Sequence, residues 1–413
     1  MKPLRGIIQT AALPAMASLL NPLPAGVNYN STEVVFVNQK ALATLPYYFE
    51  RGQMCKLGQK HPPTSTAALE SIMYLNKYRL YKAQVWGTVT SSPRVNGELS
   101  TLAKASFVAF DSRFFDILGP NPTLEKLFDL PEHNVHEAPN FLPAQNKVFV
   151  SNFNHTYEYL VDLSVEPPAL QNLTTDPPLE SVNGGFIHEG KLVVGTDGYR
   201  NSTPPGLYLY DPATNRSEPL LNNYRGLKLS TPDDLVVDQF GQVWFVDAPF
   251  SYVAWTYDNP PELAPSIYCF NMTSGALSVV DQSILWPNGI AFSPDNQTLY
   301  ITSTPLGPDN RTENHAIVAF DVLYPHTLAN KRTVYVPDTY FADGLKVSEA
   351  GNLYAAAGSG IDVVTPEGDL LGKITAAGEV FNNLVFLPGG QILVTGVQGI
   401  WRVRIREQGI VHY

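Results

Sequence analysis

Glu137, Asn183, Asp233, Asn288, Asp343 and Asn382 each open the same short pattern: an oxygen-bearing side chain, an apolar stretch, a Gly, Asn or Asp turn, and a second apolar stretch. The copies read EAPNFLPAQNKVFVSN, NGGFIHEGKLVVGTDG, DDLVVDQFGQVWFVDA, NGIAFSPDNQTLYITST, DGLKVSEAGNLYAAAGSG and NNLVFLPGGQILVTGVQG. All six leading residues are hard oxygen donors, with no thiol or imidazole among them, and such a set suits Ca²⁺ better than Zn²⁺. Asn and Asp are also common ahead of strands, where they bond their own backbone, so residue type alone leaves ordinary turn chemistry open. Recurrence of carboxylates at one register favours a shared site, because like charges gathered on an axis repel unless a cation neutralises them.

The elements that must position these residues follow from the spacing. The copies start roughly 40 to 55 residues apart, and a repeat of that length made of short strands and tight turns is the signature of a propeller blade. Six copies predict an all-β fold, a six-bladed β-propeller. The innermost strand of each blade lines the central channel, so the residues that begin those strands converge at one end of it.

Composition agrees with that class. The 413 residues hold 21 Tyr and 20 Phe, with 30 Gly and 34 Pro for turns, and only 16% are charged. A formal net charge of -11 and the lack of a basic face argue against nucleic acid as a partner. No apolar run reaches the roughly 18 residues of a membrane span, so no membrane-spanning segment is expected. A small-molecule substrate is the expected partner, and oligomeric state is not legible.

Lys2 and Arg5, the apolar stretch Gly6 to Leu13 and the small residues Ala15-Met16-Ala17 read as a secretory signal over residues 1–17. Residues 18–104 read as an N-terminal extension with a helix over Thr66 to Val85, and residues 105–413 as the propeller. Asn30, Asn154, Asn172, Asn201, Asn215, Asn271, Asn296 and Asn310 each open an N-x-S/T triplet, consistent with a secreted glycoprotein. Secretion would permit a disulfide between Cys55 and Cys269, although a buried free thiol is the ordinary reading of Cys269 in its aromatic strand. Phe107 to Phe110 is expected to pair into the C-terminal blade and close the ring.

From residue 105 to 410 the chain resembles the SMP-30/gluconolactonase/LRE-like propellers, and among them the secreted fungal lactonohydrolases. The resemblance is carried by SFVAFDSRFFDILGPNPTL, HEAP at His136 to Pro139, LLNNYRGLKLSTPDDLVV, WPNGIAFSPDNQTLYIT and FADGLKVSEAGNLY. It implies one divalent metal on the axis, usually Ca²⁺, with ligands at Glu137, Asp233, Asn288 and Asp343. The family usually carries Asn at the position of Asp233, and related sequences often have Asn at that of Ser230.

Two chemistries remain open. In lactone hydrolysis the metal polarises the carbonyl and a carboxylate, Asp343 or Asp233, acts as base, with Asn183, His136, His155 and His188 as possible substrate contacts. There is no GxSxG elbow, no placed Cys–His pair and no second His to complete HExxH. The alternative is a non-hydrolytic enzyme of secondary metabolism, a cyclase or hetero-Diels-Alderase joining a quinone methide to a terpene. That chemistry needs an apolar cavity, for which Trp244, Phe250, Tyr252, Trp255 and Trp286 are candidates.

Overall fold

Apolar runs bounded by Gly, Asn and Pro become antiparallel sheets in the computed structural model, which describes residues 18–27, 29–30, 32–43, 93–131, 134–135, 137–152, 157–199, 203–254, 260–305, 315–338, 342–358 and 360–412. The chain is all-β in a propeller arrangement, with six sheets of four or more strands and one two-stranded ribbon. In chain order the first strands of the sheets are Asn140–Leu142, Val182–His188, Pro232–Val237, Pro287–Phe292, Leu345–Val347 and Phe381–Leu387. We number the sheets one to six accordingly. These first strands touch in sequence around a ring, and the sixth returns to the first. All six also contribute to the wall of one cavity of about 140 Å³, so they surround a common axis.

Strands such as Pro232–Val237 and Gln242–Asp247 are buried along their whole length. Their near-continuous apolar runs reflect burial on both faces between neighbouring sheets. Trp244, Phe245 and Tyr268 fill the spaces between sheets, and Phe245 stacks on Tyr268 at 5.1 Å.

Ring closure differs from expectation. Thr123–Asp129 supplies the outer strand of sheet six, pairing with Gly399–Arg404 from Thr123↔Arg404 to Gly399↔Asp129. Phe107–Ala109 instead adds to sheet five beside Leu370–Ile374, with Phe107 opposite Ile374. Val34–Val37 then pairs in parallel with Phe107–Ala109, and Leu20–Asn21 completes a seven-stranded sheet. Both segments were suited to an edge; the three uniformly buried residues Phe107–Ala109 match an interior strand, whereas Thr123–Asp129 ends in exposed residues, as an outermost strand should.

A helix over Pro93–Leu102 opens with Pro at its first position and turns Val95, Leu99 and Leu102 onto one face. That face packs with Leu19, Val35, Val37, Val108 and Phe110. The signal segment 1–17, the helix expected over Thr66 to Val85, Cys55, His136, His155 and Trp255 lie outside the described residues. No described helix is long and apolar enough to cross a membrane.

Candidate functional site

The donor residues sit where the ladder slips. In sheet two Val182 pairs with Thr196 and Gly184 with Gly195, which leaves Asn183 as an extra residue. In sheet three the ladder jumps from Pro232↔Asp247 to Leu235↔Phe245, setting Asp233 and Asp234 against one partner. Sheet four repeats this at Asn288 and Gly289, and sheet six skips Asn382 between Phe381↔Gly396 and Asn383↔Thr395. A bulge re-aims the side chain of the extra residue, here at the entry of the strands that surround the axis.

Glycine lets neighbouring sheets close up at that end. A Cβ on Gly289 would lie 2.4 Å from the carbonyl oxygen of Asp343, and one on Gly344 would lie 2.1 Å from Cγ of Asn383. Thr302 Oγ1 joins sheets four and five: it accepts from the Gly289 amide at 2.6 Å and donates to the Asp343 carbonyl at 2.8 Å. The Asp343 amide in turn donates to the Ala356 carbonyl at 2.6 Å, so its main chain is held from both sides.

Glu137, Asp233, Asn288 and Asp343 are buried, at 6%, 7%, 8% and 6% exposure. Burial first, and then the carboxylates of Asp343, Asp233 and Asp234, push the Glu137 carboxyl well above the ordinary carboxylate range. Asp233 and Asp343 are therefore both within electrostatic reach of Glu137 at the same end of the channel. The Asn383 amide donates to Glu137 Oε2 at 2.7 Å and opposes the rise. Burial also raises Asp234, and the Lys346 ammonium at 3.3 Å counters it.

Behind this ring lies a second layer of acids. Asp197 accepts from Asn183 Nδ2 at 2.5 Å, and burial pushes it up to about 7. Asp247, likewise pushed up to about 7 by burial, accepts from the amides of Ser230 and Thr231 at 2.9 and 2.6 Å. It thereby fixes the turn that leads into Asp233. The short helix Phe250–Ala254 is tied to the same turn: Ser251 bonds Thr231 Oγ1 and donates to the Ser230 carbonyl at 3.1 Å.

Of the other sequence candidates, Phe250 and Trp286 meet at 5.7 Å, and Tyr252 is 46% exposed on the short helix. Trp244 is fully buried between sheets and donates to Asp238 at 2.9 Å, so it lines no cavity mouth. His188 ends the strand that Asn183 nearly begins, roughly 17 Å away at about 3.3 Å per residue, and faces the Lys191 turn. Asn382 is buried beside its neighbour Asn383, and it is Asn383 that reaches Glu137. Cys269 is a buried free thiol pushed up to about 12 by burial.

Residues 171–395 match the model of the SMP-30/gluconolactonase/LRE-like region. The chain belongs to the SMP-30/gluconolactonase/LRE-like family. Within it the chain is 32% identical over 332 residues to the lactonohydrolase oryL of Aspergillus oryzae, covering 74% of this chain and 76% of that protein. It is 27% identical over 232 residues to a gluconolactonase of Zymomonas mobilis, covering 54% and 62% respectively. Among solved structures a gluconolactonase of Xanthomonas campestris aligns with TM-score 0.62 and 25% identity over 72% of this chain and 94% of that one. The calcium-binding protein regucalcin of Agrobacterium tumefaciens shares the fold, with TM-score 0.53 and 17% identity over 70% and 95%.

The donor set tests whether a family metal fits these residues. Among the described residues no three His, Cys, Asp or Glu form a metal-binding group by themselves. Glu137, Asp233, Asp343 and Asn288 are each buried and carry hard oxygens of the kind Ca²⁺ prefers, so the residue types fit the group although they do not stand as a formed cluster. The nearby Lys346 ammonium is engaged with Asp234.

Proposed function

We propose that this chain is a lactonase-type hydrolase that uses a divalent metal, Ca²⁺ by donor chemistry, held by Glu137, Asp233, Asn288 and Asp343. The observation that carries the reading is the burial of Glu137, Asp233, Asn288 and Asp343 at the entry of the strands around the axis, where burial first and neighbouring acids second push Glu137 up and a cation would relieve both. Its support from relatives is the lactonohydrolase and gluconolactonase names they carry. The metal, when bound, would act as a Lewis acid toward the lactone carbonyl. Asp343, whose main chain is held by Thr302 and Ala356, is our candidate to take a proton from the attacking water, with Asp233 as the other candidate base. Asn183, steadied by Asp197, is assigned to substrate contact.

The six sheets are read as six blades of one propeller spanning 105–413, with 18–104 as an extension that widens sheet five. Residues 1–17 are read as a secretory signal, with glycans on the eight sequons. Asn30, Asn172 and Asn215 are exposed, and Asn271 and Asn296 are half-buried; Asn154, Asn201 and Asn310 lie outside the described residues. An N-glycan-removing enzyme should shorten the protein made in a fungal host.

The deciding experiment is a lactone panel assayed with Ca²⁺ and after chelation. Ring opening that needs the metal supports the hydrolase. Failure to open any lactone, with acceleration of adduct formation between a quinone-methide precursor and a terpene, would establish the cyclase instead. The half-buried Phe250–Trp286 pair is the observation that keeps that second reading.

A further inference from the structure

One turn carries both a carboxylate of the ring and an apolar surface. Asp247 and Ser251 tie Ser230–Thr231, the residues leading into Asp233, to the short helix Phe250–Ala254. Phe250 of that helix meets Trp286, which stands two residues ahead of Asn288. The Trp286 carbonyl accepts from the Thr304 amide at 2.8 Å, which fixes it to sheet four at the same end of the channel. Beside these two in sequence, Leu285 and Tyr252 are exposed. The half-buried Phe250–Trp286 contact is thus tied to the segments that lead into Asp233 and Asn288 of adjacent sheets.

A polyhydroxylated lactone would gain nothing from such a border, since its hydroxyls need hydrogen-bond partners and lose water against apolar walls. An alkyl chain would gain with each methylene covered. Building on the hydrolase reading, we propose that Phe250 and Trp286 form a subsite for the aliphatic tail of the substrate, which makes the preferred class a lactone bearing an alkyl chain rather than a sugar lactone.

The test compares γ-decalactone, γ-butyrolactone and glucono-δ-lactone with the full-length protein in Ca²⁺. The expected result is a kcat/KM for γ-decalactone at least about tenfold above that for γ-butyrolactone, falling toward parity in Trp286→Ala and Phe250→Ala. Circular dichroism melting identifies a variant that has lost its fold, and Trp286→Phe should keep most of the preference. A preference for glucono-δ-lactone, or a ratio unchanged in folded variants, overturns the subsite while leaving the hydrolase intact. If no lactone opens, the hydrolase reading fails, and calorimetry with γ-decalactone still decides the subsite. Saturable binding weakened in Trp286→Ala supports it, and absence of binding overturns it.

Discussion

Asn383 and Glu137, 246 residues apart in the chain, meet through a 2.7 Å hydrogen bond from the Asn383 amide to the Glu137 carboxylate. This contact joins sheet six to the loop that enters sheet one and favours the charged form of a carboxyl that burial and three neighbouring acids drive toward the neutral one. Asn383→Leu should therefore raise the proton affinity of Glu137 further. Calcium affinity measured by calorimetry at pH 7 should fall about tenfold, with the loss shrinking as pH rises.

Removal of the metal should destabilise the protein. At a free Ca²⁺ concentration 100-fold above Kd, binding adds about 2.7 kcal/mol, so chelation should lower Tm by several degrees and Ca²⁺ should restore it. Because Glu137 must release its proton to a bound cation, affinity should rise with pH and binding should discharge protons into weak buffer. Melting indifferent to chelator would leave the ring carboxylates as turn residues.

Asp343→Asn keeps an oxygen at the proposed ligand position and removes the proposed base. Turnover should fall by about 10² to 10⁴ while metal content, measured by elemental analysis, is retained. A cycloaddition needs positioning rather than a base, so the same variant would there be nearly silent.

Glu158 is buried, and burial pushes it up to about 8 against an opposing bond from the Asn152 amide. Its neutral form suits the fold, so its contribution to stability is complete below the unfolded value near 4.5 and is lost as pH climbs through about 8. Glu158→Gln should flatten the decline of Tm between those limits and raise stability at pH 8 by about 4 kcal/mol, measured by denaturant melts across pH.

Much of the architecture was legible because a period of strands and turns is written in residue types: the six leading oxygens mark the entry of all six first strands. Of the candidate site, the burial of Glu137, Asp233, Asn288 and Asp343 at those entries follows from the same pattern. Asp233 and Asn288 announce themselves as polar residues before apolar runs, but the bulge that shifts the register at Asn382 and brings Asn383 to Glu137 is a property of register, which a one-residue slip inverts. The doublets Asp233-Asp234 and Asn382-Asn383 were its only trace. Ring closure was misplaced because Phe107–Ala109 and Thr123–Asp129 both suit a sheet, and partner choice over such separations depends on packing that no local pattern encodes. Asp197 and Asp247 escaped notice because they follow strands, where an Asp ordinarily caps a turn.

The pairing of Thr123–Asp129 with Gly399–Arg404 also sets a schedule for synthesis. Glu125 must wait for Arg404, 279 residues later, and at about 5 to 20 residues per second that is roughly a quarter of a minute to a minute on the ribosome. Through that interval five sheets can assemble in turn, yet the ring stays open and the outer strand of the sixth has no partner. Closure can occur only when the final strands emerge, so the carboxylates at the axis are brought together at the last step of folding and not before.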